Sequence, residues 1–154
     1  MLTASDPAGP LAETLGEFRF DALGYVMFAF PWGKPGTSLA DDNGPEPWQR
    51  DILEKLGKSL LSADEAVRVA VASGHGIGKS ALVAWIVLWA MSTVSDTRGI
   101  VTANTEGQLR TKTWPELAKW LALCANRHWF TYTATSLHSA WAGRDKTWRV
   151  DAIT

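Results

Sequence analysis

Lys79 and Ser80 close the run Val67-Arg-Val-Ala-Val-Ala-Ser-Gly-His-Gly-Ile-Gly-Lys-Ser80. An ammonium and a hydroxyl side by side, just behind closely spaced glycines, suit a polyphosphate and its magnesium ion. Gly74, Gly76 and Gly78 let the backbone take positive φ values, so the amides through His75 and Ile77 to Ser80 can turn inward as an anion nest. Lys79 would then lie on the β- and γ-phosphates as a point charge, with the Ser80 hydroxyl on Mg²⁺. Ser73 stands where the usual pattern begins with glycine. The plainer alternative is a glycine-rich turn before a core helix, with Lys79 merely exposed. The flanking β-branched strand and apolar helix favour the phosphate site and a nucleoside-triphosphate ligand.

Other polar residues could join that chemistry. Gln49 follows Trp48 upstream of the loop, and a glutamine amide can meet both the donor and the acceptor of an adenine edge. Its other reading is an exposed glutamine at a helix start. The stretch Thr102-Ala-Asn-Thr-Glu-Gly-Gln108 falls where a second strand ends, the edge of an α/β sheet at which ligands gather. Thr102, Asn104, Thr105 and Gln108 could face a ligand at that edge; equally, Asn104 or Thr105 could simply cap a helix. His75 could approach the phosphates when protonated or point to solvent when neutral. His128 and His138 lack partners at metal-binding spacing.

The acids needed for hydrolysis are harder to find. After Ser80 the carboxylates are Asp96, Glu106, Glu116, Asp145 and Asp151, and none follows a run of four apolar residues. Asp64-Glu65, an adjacent acidic pair, precedes the loop. A metal-supporting acid at the end of a hydrophobic strand is therefore missing, and binding without turnover is expected.

The elements that must position these groups alternate. Helical spacing is expected in Leu11–Phe20, Ala22–Phe30 and Trp48–Leu61, and a loop over 31–47. A strand over Val67–Ala72 leads into the glycine loop and a helix from Lys79 to about Thr93, apolar enough to be buried all round. A buried strand follows at Gly99–Ala103, then a helix over Glu106–Asn126 that Pro115 should kink or split. Trp129–Thr135 and Lys146–Ile153 read as two strands of a possible hairpin around a polar loop. Strands alternating with helices predict an α/β core with a parallel sheet. Residues 1–44 form an N-terminal helical and loop segment, and 45–154 a partial nucleotide-binding domain.

With 46% hydrophobic and 20% charged residues the chain has a globular composition. The apolar run Ala81–Met91 is shorter than the roughly 20 residues a membrane helix needs. No signal peptide is evident, so a cytoplasmic location is expected. Cys124 is a lone cysteine among apolar neighbours and reads as a buried thiol. Residues 67–154 carry 10 Lys/Arg against 5 Asp/Glu, a mildly basic half that suits phosphate. Of the nine tryptophans, Trp85, Trp89 and Trp120 fall among apolar residues and read as core. Trp129, Trp141 and Trp148 lie in a polar tail, where a binding role is conceivable without further support.

Taken together, Pro47-Trp48-Gln49-Arg50, Ala72-Ser-Gly-His-Gly-Ile-Gly-Lys-Ser80 and Thr102-Ala-Asn-Thr-Glu-Gly-Gln108 resemble the ATPase half of the terminase large subunit, the DNA-packaging motor of tailed bacteriophages. The resemblance covers about residue 45 onward. It implies a P-loop NTPase sheet flanked by helices, with ATP and Mg²⁺ as ligands. Gln49 would read adenine, Ser73–Ser80 would be the phosphate loop, and Thr102–Gln108 the nucleic-acid or coupling loop. Where many members place an arginine finger, this sequence has His75. Implied partners are double-stranded DNA, a terminase small subunit and a portal, in a ring assembled on the portal inside a bacterial cell. The resemblance also implies an acidic-motif strand and a nuclease domain beyond Thr154, so the chain is expected to be an incomplete ATPase with exposed apolar strand edges. The alternatives are another nucleic-acid motor, such as a helicase-like ATPase, or an inactive prophage remnant.

Overall fold

Glycine and proline mark where the elements stop, and apolar periodicity decides what fills the space between them. The computed structural model describes residues 8–61 and 78–154. The expected strand at 67–72 and the loop residues Ser73, Gly74, His75, Gly76 and Ile77 lie outside the described residues.

Three helices come first: α1 (Ala8–Gly16), α2 (Ala22–Ala29) and α3 (Pro47–Leu61). Asp21 caps α2 by accepting from the Gly24 amide at 2.9 Å. Pro47 opens α3, where its missing N–H costs nothing. Helix α4 (Lys79–Thr93) follows, with the bounds its sequence predicts. Among its residues only Lys79 and Val83 are exposed, so the helix is enclosed almost all round.

Strand β1 (Arg98–Val101) leads to the short α5 (Glu106–Gln108), a wide turn at Leu109–Thr113, and α6 (Trp114–Leu123). Pro115 splits this helical stretch as expected. It sits in the first turn of α6, where no N–H is required, and the helix widens just upstream of the missing donor. Three strands end the chain: β2 (Phe130–Tyr132), β3 (Ser136–Ser139) and β4 (Arg149–Ala152).

These strands form one sheet in the order β1-β4-β3-β2. The class is α/β, but the described sheet is mixed rather than parallel. Only β1 and β4 run parallel, with Arg98 opposite Arg149 and Val101 opposite Ala152. The turn between β2 and β3 is too short for a crossover, so this pair is antiparallel. The expected hairpin between Trp129–Thr135 and Lys146–Ile153 does not form directly, because β3 lies between them and pairs with both neighbours. Ser-Leu-His-Ser reads as a polar loop, yet Ser136 and Ser139 are buried. Their hydroxyls are satisfied locally, Ser136 with Thr133 Oγ1 at 3.0 Å and Ser139 by accepting from the Trp141 amide at 3.1 Å.

The sheet has two unlike faces. Val101, Val150 and Ala152 turn into the core. Arg98, Ile100, Arg149, Asp151 and Ile153 line a shallow groove of about 380 Å³ on the other side, with Gly99 at its floor. Ile100 is 67% exposed there, so the expected burial of this strand holds for one side only.

Aromatic rings fill the core in two groups. Trp120 meets Phe30 and Trp85 edge-on, each at 5.1 Å between centroids, and Trp32 lies 5.9 Å from Trp85. Trp141 stacks on Trp148 at 5.6 Å and takes the edge of Trp129 at 5.4 Å. The three tail tryptophans therefore pack on one another instead of presenting a binding face. Beneath the first group lies a closed polar network joining α2, α4 and the end of α6. The Tyr25 hydroxyl contacts Ser92 Oγ at 3.0 Å and Cys124 Sγ at 3.2 Å. Asn126 accepts from the Cys124 thiol at 2.9 Å and donates to Ser92 Oγ at 2.8 Å. Burial pushes both the Tyr25 phenol and the Cys124 thiol above their ordinary pKa values, so both stay neutral and Cys124 is a structural thiol.

Candidate functional site: the mouth of the apolar helix

The described part of the expected phosphate site is the amino end of α4. Gly78 precedes the helix with φ 93° and ψ 19°, a left-handed conformation that glycine adopts without strain. Gly78 offers no side chain to cap the helix at this position. Lys79 is exposed and Ser80 half-buried immediately behind. A Cβ on Gly78 would come within 2.5 Å of Gln49 Nε2, a second reason for glycine here.

Helix α3 brings Gln49 to this point. Gly57 lets α3 pass close to the Phe20 carbonyl, where a Cβ would approach to 2.5 Å. Pro47 is the first helical residue and Gln49 the third, so the Gln49 side chain can reach back to the start of its own helix. Its Oε1 accepts from the Glu46 amide at 2.8 Å. Its Nε2 donates to the Gly78 carbonyl at 2.9 Å. That carbonyl also accepts the first helical bond of α4, from the Leu82 amide at 3.1 Å. Gln49 is only 3% exposed, which overturns its reading as an exposed helix-start residue.

The second candidate loop follows β1. The Ile153 amide donates to the Val101 carbonyl at 3.0 Å, so the parallel strands β1 and β4 finish together beside it. Thr102, Asn104, Thr105 and Gln108 are all exposed. Thr105 Oγ1 accepts from the Gln108 amide at 3.1 Å, which makes Thr105 the cap of α5. Asp151, one of the five carboxylates after Ser80, lies on the open face of β4 and is held by Arg149 at 2.7 Å. Hydrogen bonding to Asp151 raises the Arg149 pKa further.

Sequence reasoning placed Lys79 and Ser80 at the start of the α4 helix, but missed the bond from Gln49 to Gly78. The available signal was the position of Gln49 two residues after a helix-opening proline, where a side chain turns back toward the helix start. No family model, curated protein or solved structure matches the chain.

Proposed function

We propose that this chain binds Mg-ATP at the loop Ser73–Ser80, as the nucleotide-binding part of a DNA-packaging motor of the terminase large-subunit type. The observation that carries the reading is the α4 mouth: a Gly-Lys-Ser sequence in which Gly78 is left-handed, Lys79 is exposed and a buried glutamine grips the last loop carbonyl. The residues fit the ligand. The amino end of α4 presents the positive end of its dipole to phosphate oxygens. Lys79 is exposed where it can neutralise the β- and γ-phosphates, and Ser80 follows as the magnesium-binding hydroxyl. Mg²⁺, which Ser80 would help to hold, would supply charge stabilisation to the phosphates.

The reading rests on this mouth and on the quoted motifs, not on the mixed sheet. DNA, a small subunit, a portal and a bacterial cytoplasm come from the resemblance alone. Among the described residues no helix is long and apolar enough to cross a membrane. With Asp151 engaged by Arg149, the reading includes nucleotide binding without hydrolysis by this chain.

Calorimetric titration of the full chain with Mg-ATP tests the proposal. Saturable binding that Lys79→Ala abolishes is expected. Absence of binding at millimolar ATP, or binding indifferent to Lys79→Ala, overturns it; hydrolysis above background overturns its last clause.

A further inference from the structure

A glutamine amide has two N–H groups and two carbonyl lone pairs. Gln49 uses one of each: a lone pair on the Glu46 amide and an N–H on the Gly78 carbonyl. Both bonds are short, and the side chain is buried against Trp48 and the start of α4. Gly78 is the pivot between the loop and α4, so the orientation of its carbonyl plane also sets the orientation of the Lys79 amide. A left-handed glycine has no side chain to restrict it, and its conformation is held from outside by whatever grips its peptide groups.

We propose that Gln49 is a positioning residue for phosphate, holding the last peptide of the loop so that Lys79 and Ser80 start α4 in a fixed direction. The inference rests on the reading of this chain as a triphosphate binder. It differs from adenine reading in a measurable respect: Gln49 acts on the polyphosphate itself, whichever base is attached.

The test uses the full chain and two variants. Gln49→Glu keeps the acceptor toward Glu46 but cannot donate to Gly78 when ionised; Gln49→Met keeps the approximate shape and loses both bonds. Affinities for Mg-tripolyphosphate, Mg-ATP and Mg-GTP are measured well below each variant's melting temperature. Amide exchange in the first turn of α4 is followed without ligand, above all at Leu82, whose partner is the same Gly78 carbonyl. Both variants should bind tripolyphosphate roughly five- to tenfold more weakly, with ATP and GTP reduced by the same factor. Leu82 should exchange faster in both.

Unchanged tripolyphosphate affinity with a collapsed ATP-over-GTP preference would make Gln49 a base reader only and overturn the proposal. Lower melting temperatures with unchanged affinities would make it purely structural. A loss confined to Gln49→Met would assign the effect to the Glu46 bond instead. If the wild-type chain binds neither ATP nor tripolyphosphate, the phosphate-site reading falls. The exchange measurement needs no ligand and separates that failure from a failure of the Gln49–Gly78 link.

Discussion

The two ends of α4 are held in different ways. At the carboxyl end, Ser92 enters the buried network with Tyr25, Cys124 and Asn126. The Met91 carbonyl accepts from Trp148 Nε1 at 3.1 Å, the Ala90 carbonyl from Thr97 Oγ1 at 3.0 Å, and Trp89 Nε1 donates to the Phe18 carbonyl at 2.7 Å. Bonds from four parts of the chain converge there. At the amino end Gln49 grips Gly78, while Lys79 stands in solvent. Removing a bond from the crowded end leaves buried polar groups without partners; changing the open end alters what can be bound. Stability is therefore concentrated at the end of the helix farthest from its candidate chemistry.

The largest effect should come from the packed body. Trp120→Ala empties the space between Phe30, Trp32 and Trp85 and should lower unfolding free energy by about 3–5 kcal/mol in urea titrations. A loss below about 1 kcal/mol would mean that the aromatic group collapses onto the gap and does not anchor α4.

Next comes the polar network. Asn126→Ala removes partners from both Ser92 and Cys124 in a buried site and should cost about 2–3 kcal/mol. The same network predicts a pH dependence. The folded-state pKa values of Cys124 and Tyr25 are raised, so the folded chain holds these protons more tightly than the unfolded chain. Stability should be level on the acid side of the ordinary values, 9.0 for the thiol and 10.0 for the phenol, and decline as pH rises past each in turn. Chemical denaturation between neutral pH and pH 11 checks this, and Cys124→Ala should remove the first part of the decline.

The smallest stability effect belongs to the open end. Lys79→Ala should change unfolding free energy by no more than about 0.5 kcal/mol, while removing nucleotide binding. A stability loss comparable to that of Asn126→Ala would erase the contrast between the ends.

The same contrast governs what the sequence disclosed. The bounds of α4 were legible because fifteen residues without proline or glycine follow a glycine and are almost all apolar. Helix α3 was legible from its apolar spacing and Pro47, and Pro115 marked the split before α6. Strand β3 was hidden because buried serines satisfied by Thr133 and Trp141 look like loop residues in a sequence. The mixed sheet followed from that omission, since a three-strand antiparallel run needs its middle strand to be seen. At the candidate site, residue types singled out Lys79, Ser80 and Gln49. The grip of Gln49 on Gly78 spans 29 positions, and local pattern carries no information about contacts at that range.

The buried network also fixes an order of events during synthesis. Tyr25 and Asn126 lie 101 positions apart, so the carboxyl end of α4 cannot be locked until Asn126 has left the ribosome. Until Cys124 and Asn126 emerge, a finished α4 carries Trp85, Leu88 and Trp89 with their eventual covering incomplete. Contacts of such long range slow folding through the entropy of closing the intervening loop. The nascent chain thus passes through a stage when the apolar side chains of α4 are still uncovered, and that stage is where a chaperone would find it.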